Sequence, residues 1–248
     1  MQAASLKEVP MFRFTLFSAF ILATALATAL AAAPARAQHV SFVVVHGIPG
    51  RDVGGTEDPL LPVDIFIGGK YCLIQGLTFG SISGPFDVPP GGYEVAVSLA
   101  NPLAPCSNPP VVTNQFTLSE GQFGAIVAAL STTGAPALEL YTINTTPVGA
   151  GMQRLVAVHA ANAPAVEVKV VSTGKSPEKA KFKLEPGAEK TAMVSTEPGF
   201  AVSASVGKTV IGPISVAFGD QGVALVVAVG SAASGSATLL SKIIPDVF

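Results

Sequence analysis

From residue 38 onward the chain is written in short apolar stretches separated by glycine, proline and asparagine, recurring about every ten residues. Where these stretches alternate, they do so with period two. Over 93–99 the side chains of Tyr93, Val95, Val97 and Leu99 share one face, and Glu94, Ala96 and Ser98 share the other. That is a strand with one face in the core and a lighter, wetter opposite face. Phe42 to Val45 does not alternate, which is the pattern of a strand covered on both sides. No stretch after residue 37 sustains a helical period with caps. The pattern predicts strands at 40–46, 63–67, 71–75, 77–82, 93–99, 111–118, 122–130 and 137–143. A second set is predicted at 153–159, 165–171, 180–184, 191–195, 200–206, 209–218, 223–229 and 237–244.

The two sets correspond. VSFVVVHGIP from Val40 has a weaker copy, LVAVHAANAP, from Leu155, and each apolar run ends on a histidine, His46 or His159. Each then resumes as an alternating strand, PVDIFI from Pro62 and AVEVKV from Ala165. Phe200, Val202, Ala204 and Val206 take the places of Tyr93, Val95, Val97 and Leu99, and FTLSEGQFGAIVAA from Phe116 is echoed by VAFGDQGVALVVAV from Val216. The reading is an all-β chain of two tandem immunoglobulin-like antiparallel β-sandwich domains, 38–147 and 152–248, joined by a linker at 148–151. The surrounding TPVGAG segment reads as short and flexible, so that damage to one half would hardly reach the other. An outer-membrane barrel fits less well, because the strands are short and the chain has no Trp and three Tyr to form aromatic girdles.

The halves differ in one connection. From His46 to Asp64 is 18 positions, and from His159 to Glu167 is 8. The extra length, GIPGRDVGGTEDPLL, gathers Arg51, Asp52, Glu57 and Asp58, which makes it the candidate binding loop, because recognition residues concentrate on loops held by rigid sheets. With Asp64 the same acids could offer hard oxygen ligands to calcium, although their spacing is not that of an EF-hand, and a solvated loop without metal is the plainer reading. His46 and His159, recurring at one structural position, read as residues that hydrogen-bond the turn after them.

His159-Ala-Ala-Asn-Ala-Pro-Ala-Val-Glu-Val168, Pro62-Val-Asp-Ile-Phe-Ile-Gly-Gly-Lys70, Leu77-Thr-Phe-Gly-Ser-Ile-Ser83 and Pro90-Gly-Gly-Tyr93 resemble the bacterial domain-of-unknown-function family 4397. The resemblance covers most of both halves, with the second copy more divergent. It implies exported or cell-surface β-sandwich modules, often in tandem, with no established activity to carry over. The long connection after His46 departs from the family's short His-Ala-Ser-Pro turn.

Composition and charge narrow the function classes. Hydrophobic residues make up 49% of the chain and charged residues 12%, which fits neither a disordered acidic chain nor a nucleic-acid binder. Residues 38–147 carry 2 basic and 8 acidic side chains, and residues 152–248 carry 9 and 7. This asymmetry suits head-to-tail association or contact with a charged surface, although differing solvated faces explain it as simply. Cys72 and Cys106 are expected to form a disulfide, which in the chain-entropy model stabilises by roughly 3–4 kcal/mol. Three histidines are too scattered for a zinc site.

No catalytic string survives inspection. Gly80-Ser-Ile-Ser-Gly84 has Ile82 where a nucleophile elbow needs serine. Val206-Gly-Lys-Thr209 lacks the earlier glycine and the helix of a phosphate loop. Asn144-Thr-Thr146 is a formal glycosylation sequon without meaning in a bacterial host. The expectation is a non-enzymatic envelope or extracellular binding module without cofactor or metal, its partner a protein or glycan at the cell surface. The alternatives are a structural envelope spacer and an unrecognised secreted hydrolase.

Arg13 precedes the apolar run from Phe14 to Ala33, and Ala35-Arg36-Ala37 follows it, the layout of a signal peptide occupying 1–37, with Met11 as a second candidate start. Cleavage would leave no transmembrane segment in the mature chain and deliver it to the periplasm, cell surface or medium. N-terminal sequencing of the exported protein is expected to begin at Gln38; a chain starting at Met1 or Met11 would mean a retained anchor.

Overall fold

The structure, a computed structural model, describes residues 39–53, 58–69, 71–149, 151–173, 179–195, 199–216 and 222–245. The expected signal peptide lies outside the described residues. In the first half the strands are β1 (Val40–His46), β2 (Val63–Ile67), β3 (Tyr71–Leu77), β4 (Ser81–Val88), β5 (Gly91–Leu99), β6 (Val112–Leu118), β7 (Phe123–Leu130) and β8 (Pro136–Ile143). The second half has β9 (Met152–His159), β10 (Val166–Ser172), β11 (Lys179–Leu184), β12 (Glu189–Ser195), β13 (Phe200–Val206), β14 (Thr209–Val216), β15 (Val223–Val229) and β16 (Thr238–Ile244). One expected strand, 77–82, divides: Leu77 closes β3, Ser81 opens β4, and Gly80 between them donates its N–H to the His46 carbonyl at 2.9 Å. The chain changes sheet there, which an unbroken apolar pattern conceals.

Four four-stranded sheets form two sandwich-like domains. The first domain pairs β3-β2-β5-β6 with β4-β1-β7-β8, and the second repeats the order as β11-β10-β13-β14 and β12-β9-β15-β16. Pairing is antiparallel except that β1 runs parallel to β7 and β9 parallel to β15. The expected antiparallel sandwiches are present, with these two parallel pairs set within them. Each domain's opening strand is inserted between two strands made later, and one of those runs in its own direction.

Side-chain alternation shows where the cores lie. On β1, Phe42 and Val44 face the core of the first sandwich with Ile65, Val97 and Ile126. Val43 and Val45 point the other way, into a core shared with the second half. Here Phe123, Ala125 and Val127 of β7 meet Val156 and Val158 of β9 and Val223, Leu225, Val227 and Val229 of β15. The intervening Leu155, Ala157, Ala224 and Val226 turn to the core of the second sandwich. The two inner sheets are therefore sandwiched twice, and every residue of β1, β7 and β15 is buried. The unalternating run at Phe42 to Val45 is period two with both faces apolar.

The shared core also corrects the expected independence of the halves, since coupling runs through two packed sheets and does not depend on the TPVGAG segment. Residues 38–248 form a single compact unit. Leu225 is fully buried in that core, so Leu225→Ala is expected to cost about 2–5 kcal/mol. In calorimetry the loss should lower one common transition; two separate transitions, with the first half unmoved, would contradict the coupling.

Candidate functional site

Antiparallel pairing sets Val63, the start of β2, opposite Leu99, the end of β5, and Leu77, the end of β3, also opposite Val63. The connection before β2 and the connection after β5 therefore leave the sheet at one end. Both are long in the first domain. Residues 100–111 join β5 to β6, where the second domain uses only Gly207 and Lys208 between β13 and β14. The sequence comparison found one disparity between the halves; the structure adds this second one and places the two side by side.

Asp64 fixes the loop after β5. The residue is 1% exposed. Oδ1 accepts the Gly76 N–H at 2.9 Å, and Oδ2 accepts the N–H of Cys106 at 2.7 Å and of Asn101 at 3.4 Å. The Asn101 side chain in turn accepts from Leu103 and Ala104 and donates to Ser107 Oγ, while Asn108 donates to the Leu99 carbonyl. The Cys72–Cys106 disulfide, with Cα atoms 5.8 Å apart, ties the same loop to β3. At the equivalent position in the second domain Glu167 has no loop to hold. It is exposed and pairs with Lys181 at 2.7 Å.

Between the two connections lies a cleft of about 540 Å³, lined by Leu61, Pro62, Leu99, Ala100, Pro102 and Pro105, with Asp58, Asp64, Gln75 and Asn101 among its polar groups. Leu60 and Leu99 are 51% and 39% exposed, and Leu103 on the same loop is 95% exposed. Among the described residues, the non-glycine residues with positive φ are Leu61 at 42° and Cys106 at 59°. Such backbone costs of order 1–3 kcal/mol and clusters where a surrounding structure holds a site in place. One of these residues lines the cleft, and the other anchors its covering loop.

The candidate binding loop divides. Arg51 is exposed, and Asp58 lies at the cleft, where its Oδ1 accepts the Leu60 N–H at 2.8 Å. Glu57 lies outside the described residues. Asp52 turns the other way, its Oδ2 accepting a 2.6 Å bond from Ser236 Oγ of the second domain. Close by, the Gly47 carbonyl accepts the Gly230 N–H at 3.1 Å, and a Cβ on Gly47 would sit 2.7 Å from Val229 Cγ1. The base of the loop is thus an interdomain contact. Among the described residues no three His, Cys, Asp or Glu side chains converge to hold a metal, and the Asp64 oxygens are occupied by backbone N–H groups.

His46 and His159 are fully buried. Nε2 of His46 is 2.8 Å from the Leu61 carbonyl, which requires that this nitrogen carry the proton, while Nδ1 accepts a long bond from Ile48 N–H at 3.4 Å. His46 therefore pins the residue that lines the cleft. Nε2 of His159 likewise meets the Pro164 carbonyl at 3.0 Å. Burial pushes both imidazoles below their ordinary range, opposed in part by these carbonyls and, at His159, by the charge of Glu185. At the seam between the domains, Tyr141 donates to Glu139 in a groove that also includes Glu189. Burial, then the neighbouring Glu139 carboxylate, raises this phenol well above its usual range. Of the strings weighed for chemistry, Gly80–Gly84 spans a turn and the start of β4, and Val206–Thr209 holds the two-residue hairpin turn between β13 and β14.

Fold and site define a tandem β-sandwich protein with a disulfide-braced cleft at one end of its first domain. The chain belongs to the family described as Domain of unknown function (DUF4397), whose model matches residues 39–169, the first domain together with β9 and most of β10. No curated protein matches it. Among solved structures it is similar to the Bacillus anthracis TIE protein, with 11% identity and a TM-score of 0.24 over 83% of this chain and 34% of that one. The chain thus spans about a third of that protein's length. It is also similar to a candidate cell adhesion protein from Bacteroides ovatus ATCC 8483, with 9% identity and a TM-score of 0.26 over 86% and 99% of the two chains. Among the described residues no helix is long and apolar enough to cross a membrane. The disulfide is of the kind that persists in extracellular or periplasmic compartments.

Removing the Asp64 carboxylate would leave buried donors unmet, at about 1–3 kcal/mol for each group that water cannot reach. Asp64→Ala is therefore expected to lower the urea midpoint clearly, whereas Glu167→Ala, which breaks an exposed pair, should cost no more than about 1 kcal/mol. Equal losses would contradict the different roles of these two positions.

Proposed function

We propose that this is an exported, non-enzymatic binding module that uses the cleft between residues 58–62 and 99–105 to hold a protein or glycan partner at the cell surface. The observation that carries the reading is the meeting of both first-domain elaborations at one cleft, with their backbones fixed by a buried carboxylate and a disulfide. Preorganisation of this kind reduces the ordering cost of binding. Leu99 in the cleft wall, with the exposed Leu60 and Leu103 on the two connections, supplies apolar contact, and Asp58 is among the few polar groups to orient it. The shared core favours the spacer reading as well, since it makes the two domains a rigid stack.

Leu99→Glu and Leu103→Glu alter side chains already exposed to water and should leave the thermal transition nearly unmoved. Binding of the purified exported chain to envelope fractions and to a glycan array is expected to fall about tenfold or more in the double variant, a loss of about 1.4 kcal/mol. Undiminished binding would remove the cleft from the function and leave the spacer reading in its place.

A further inference from the structure

The outer face of the sheet β11-β10-β13-β14 carries a charge pattern that has no counterpart in the first domain. Val166, Val168 and Val170 of β10 lie opposite Leu184, Phe182 and Ala180 of β11, and all six pack in or against the core of the second sandwich. The alternate positions face solvent. There Glu167 is opposite Lys183, Lys169 is opposite Lys181, and Val171 is opposite Lys179. Across β10, the neighbours on β13 are Ser205, Ser203 and Ala201, short side chains that leave the lysines standing clear. All four lysines are exposed.

Two explanations that ask for no ligand fail to cover this pattern. Lysines on an edge strand discourage pairing with another chain, and β11 is an edge. β10 is not an edge, yet Lys169 sits on it, directly across from Lys181. Like charges opposite one another destabilise a sheet. Local ion pairing covers only part of the charge. Lys181 meets Glu167 and Lys183 meets Glu185, both at 2.7 Å, with every partner about half exposed or more. Exposed pairs are weak and are readily exchanged for a stronger anion. The sequence of β3 at the equivalent place, Tyr71–Leu77, has no charged residue.

We propose that this face holds a linear polyanion, a chain of repeated phosphate groups, laid along β11 and across Lys169. Successive lysines on β11 are two residues apart, a repeat of about 6.6–6.8 Å, so an extended chain meets a cation at regular intervals. Lys169 broadens the row by one strand spacing. Base recognition is not part of the arrangement, because among the described residues of β10, β11 and β13 the solvent-facing positions hold no aromatic side chain for bases to stack on. The inference is independent of the cleft, which lies on the first domain.

The test is binding of the exported chain to immobilised long-chain inorganic polyphosphate across a salt series. Wild type is expected to bind, and to weaken steeply as salt rises because bound counterions are released. Changing Lys169, Lys179, Lys181 and Lys183 together to Gln should weaken binding about tenfold or more and flatten the salt slope. Lys169→Gln alone should reproduce part of the loss while leaving the edge lysines in place. Lys242→Gln, on the other sheet, should change nothing. Retained affinity in the fourfold variant would overturn the proposal. So would a wild-type chain that ignores polyphosphate and binds only phosphatidylglycerol vesicles, since the occupant would then be a membrane surface.

Discussion

The structure depends on the face-to-face packing of its two inner sheets. A β-strand has two faces, and an isolated sandwich leaves one of them wet. Here β1, β7, β9 and β15 are apolar on both, so neither domain's inner sheet could meet water without exposing a row of valines and alanines. Burying that row makes four layers out of two sandwiches and joins them into one cooperative body. The low charge content of the chain follows directly, because only the two outer sheets, the edge strands of the inner sheets, the strand ends and the connections remain for polar residues.

With the inner layers committed to packing, diversification is confined to the periphery, and the two domains have used theirs differently. The first lengthened two connections at one end and spent a buried carboxylate, a disulfide and two strained residues on holding them. The second kept those connections minimal and placed lysines across an outer sheet face. Asp64 and Glu167 show the contrast at a single position: one acid is buried under a loop that it organises, and the other stands in solvent beside a lysine. The long connection after His46 serves both ends of this arrangement, since Asp52 reaches Ser236 while Asp58 and Leu61 border the cleft.

Much of the fold was legible because period two and turn residues are local signals. Nearly every strand lies within a residue or two of where alternation puts it, and the exception, 77–82, fails because a sheet change needs only a glycine and a bend. The disulfide was legible from two cysteines behind what reads as an export signal. The shared core was half legible: Phe42 to Val45 showed that both faces were covered, but no local pattern says by what. The parallel β1–β7 and β9–β15 pairs were hidden, since pairing direction is decided by strands far apart in sequence. The cleft was missed for another reason. Residues 100–111 looked like an ordinary proline- and asparagine-rich connection, and only their short counterpart, Gly207 and Lys208, marks them as an elaboration. That signal was available in the repeat itself, while the convergence with residues 58–62 required the pairing of Val63 with Leu99.

The position of β1 has a consequence for the order in which the chain can mature. It is the earliest strand of the sandwich, yet its two neighbours, β4 and β7, are drawn from residues 81–88 and 123–130. A chain made from its N-terminus must leave this apolar strand without any partner until residues 81–88 have followed, and without its second until residues 123–130 have. The outward face of β1 then waits longer still, for β9 and β15. Such distant pairing makes for slow folding and prolonged exposure of sticky surface, so the architecture that gives the finished protein its rigidity makes the newly made chain dependent on being kept from its neighbours.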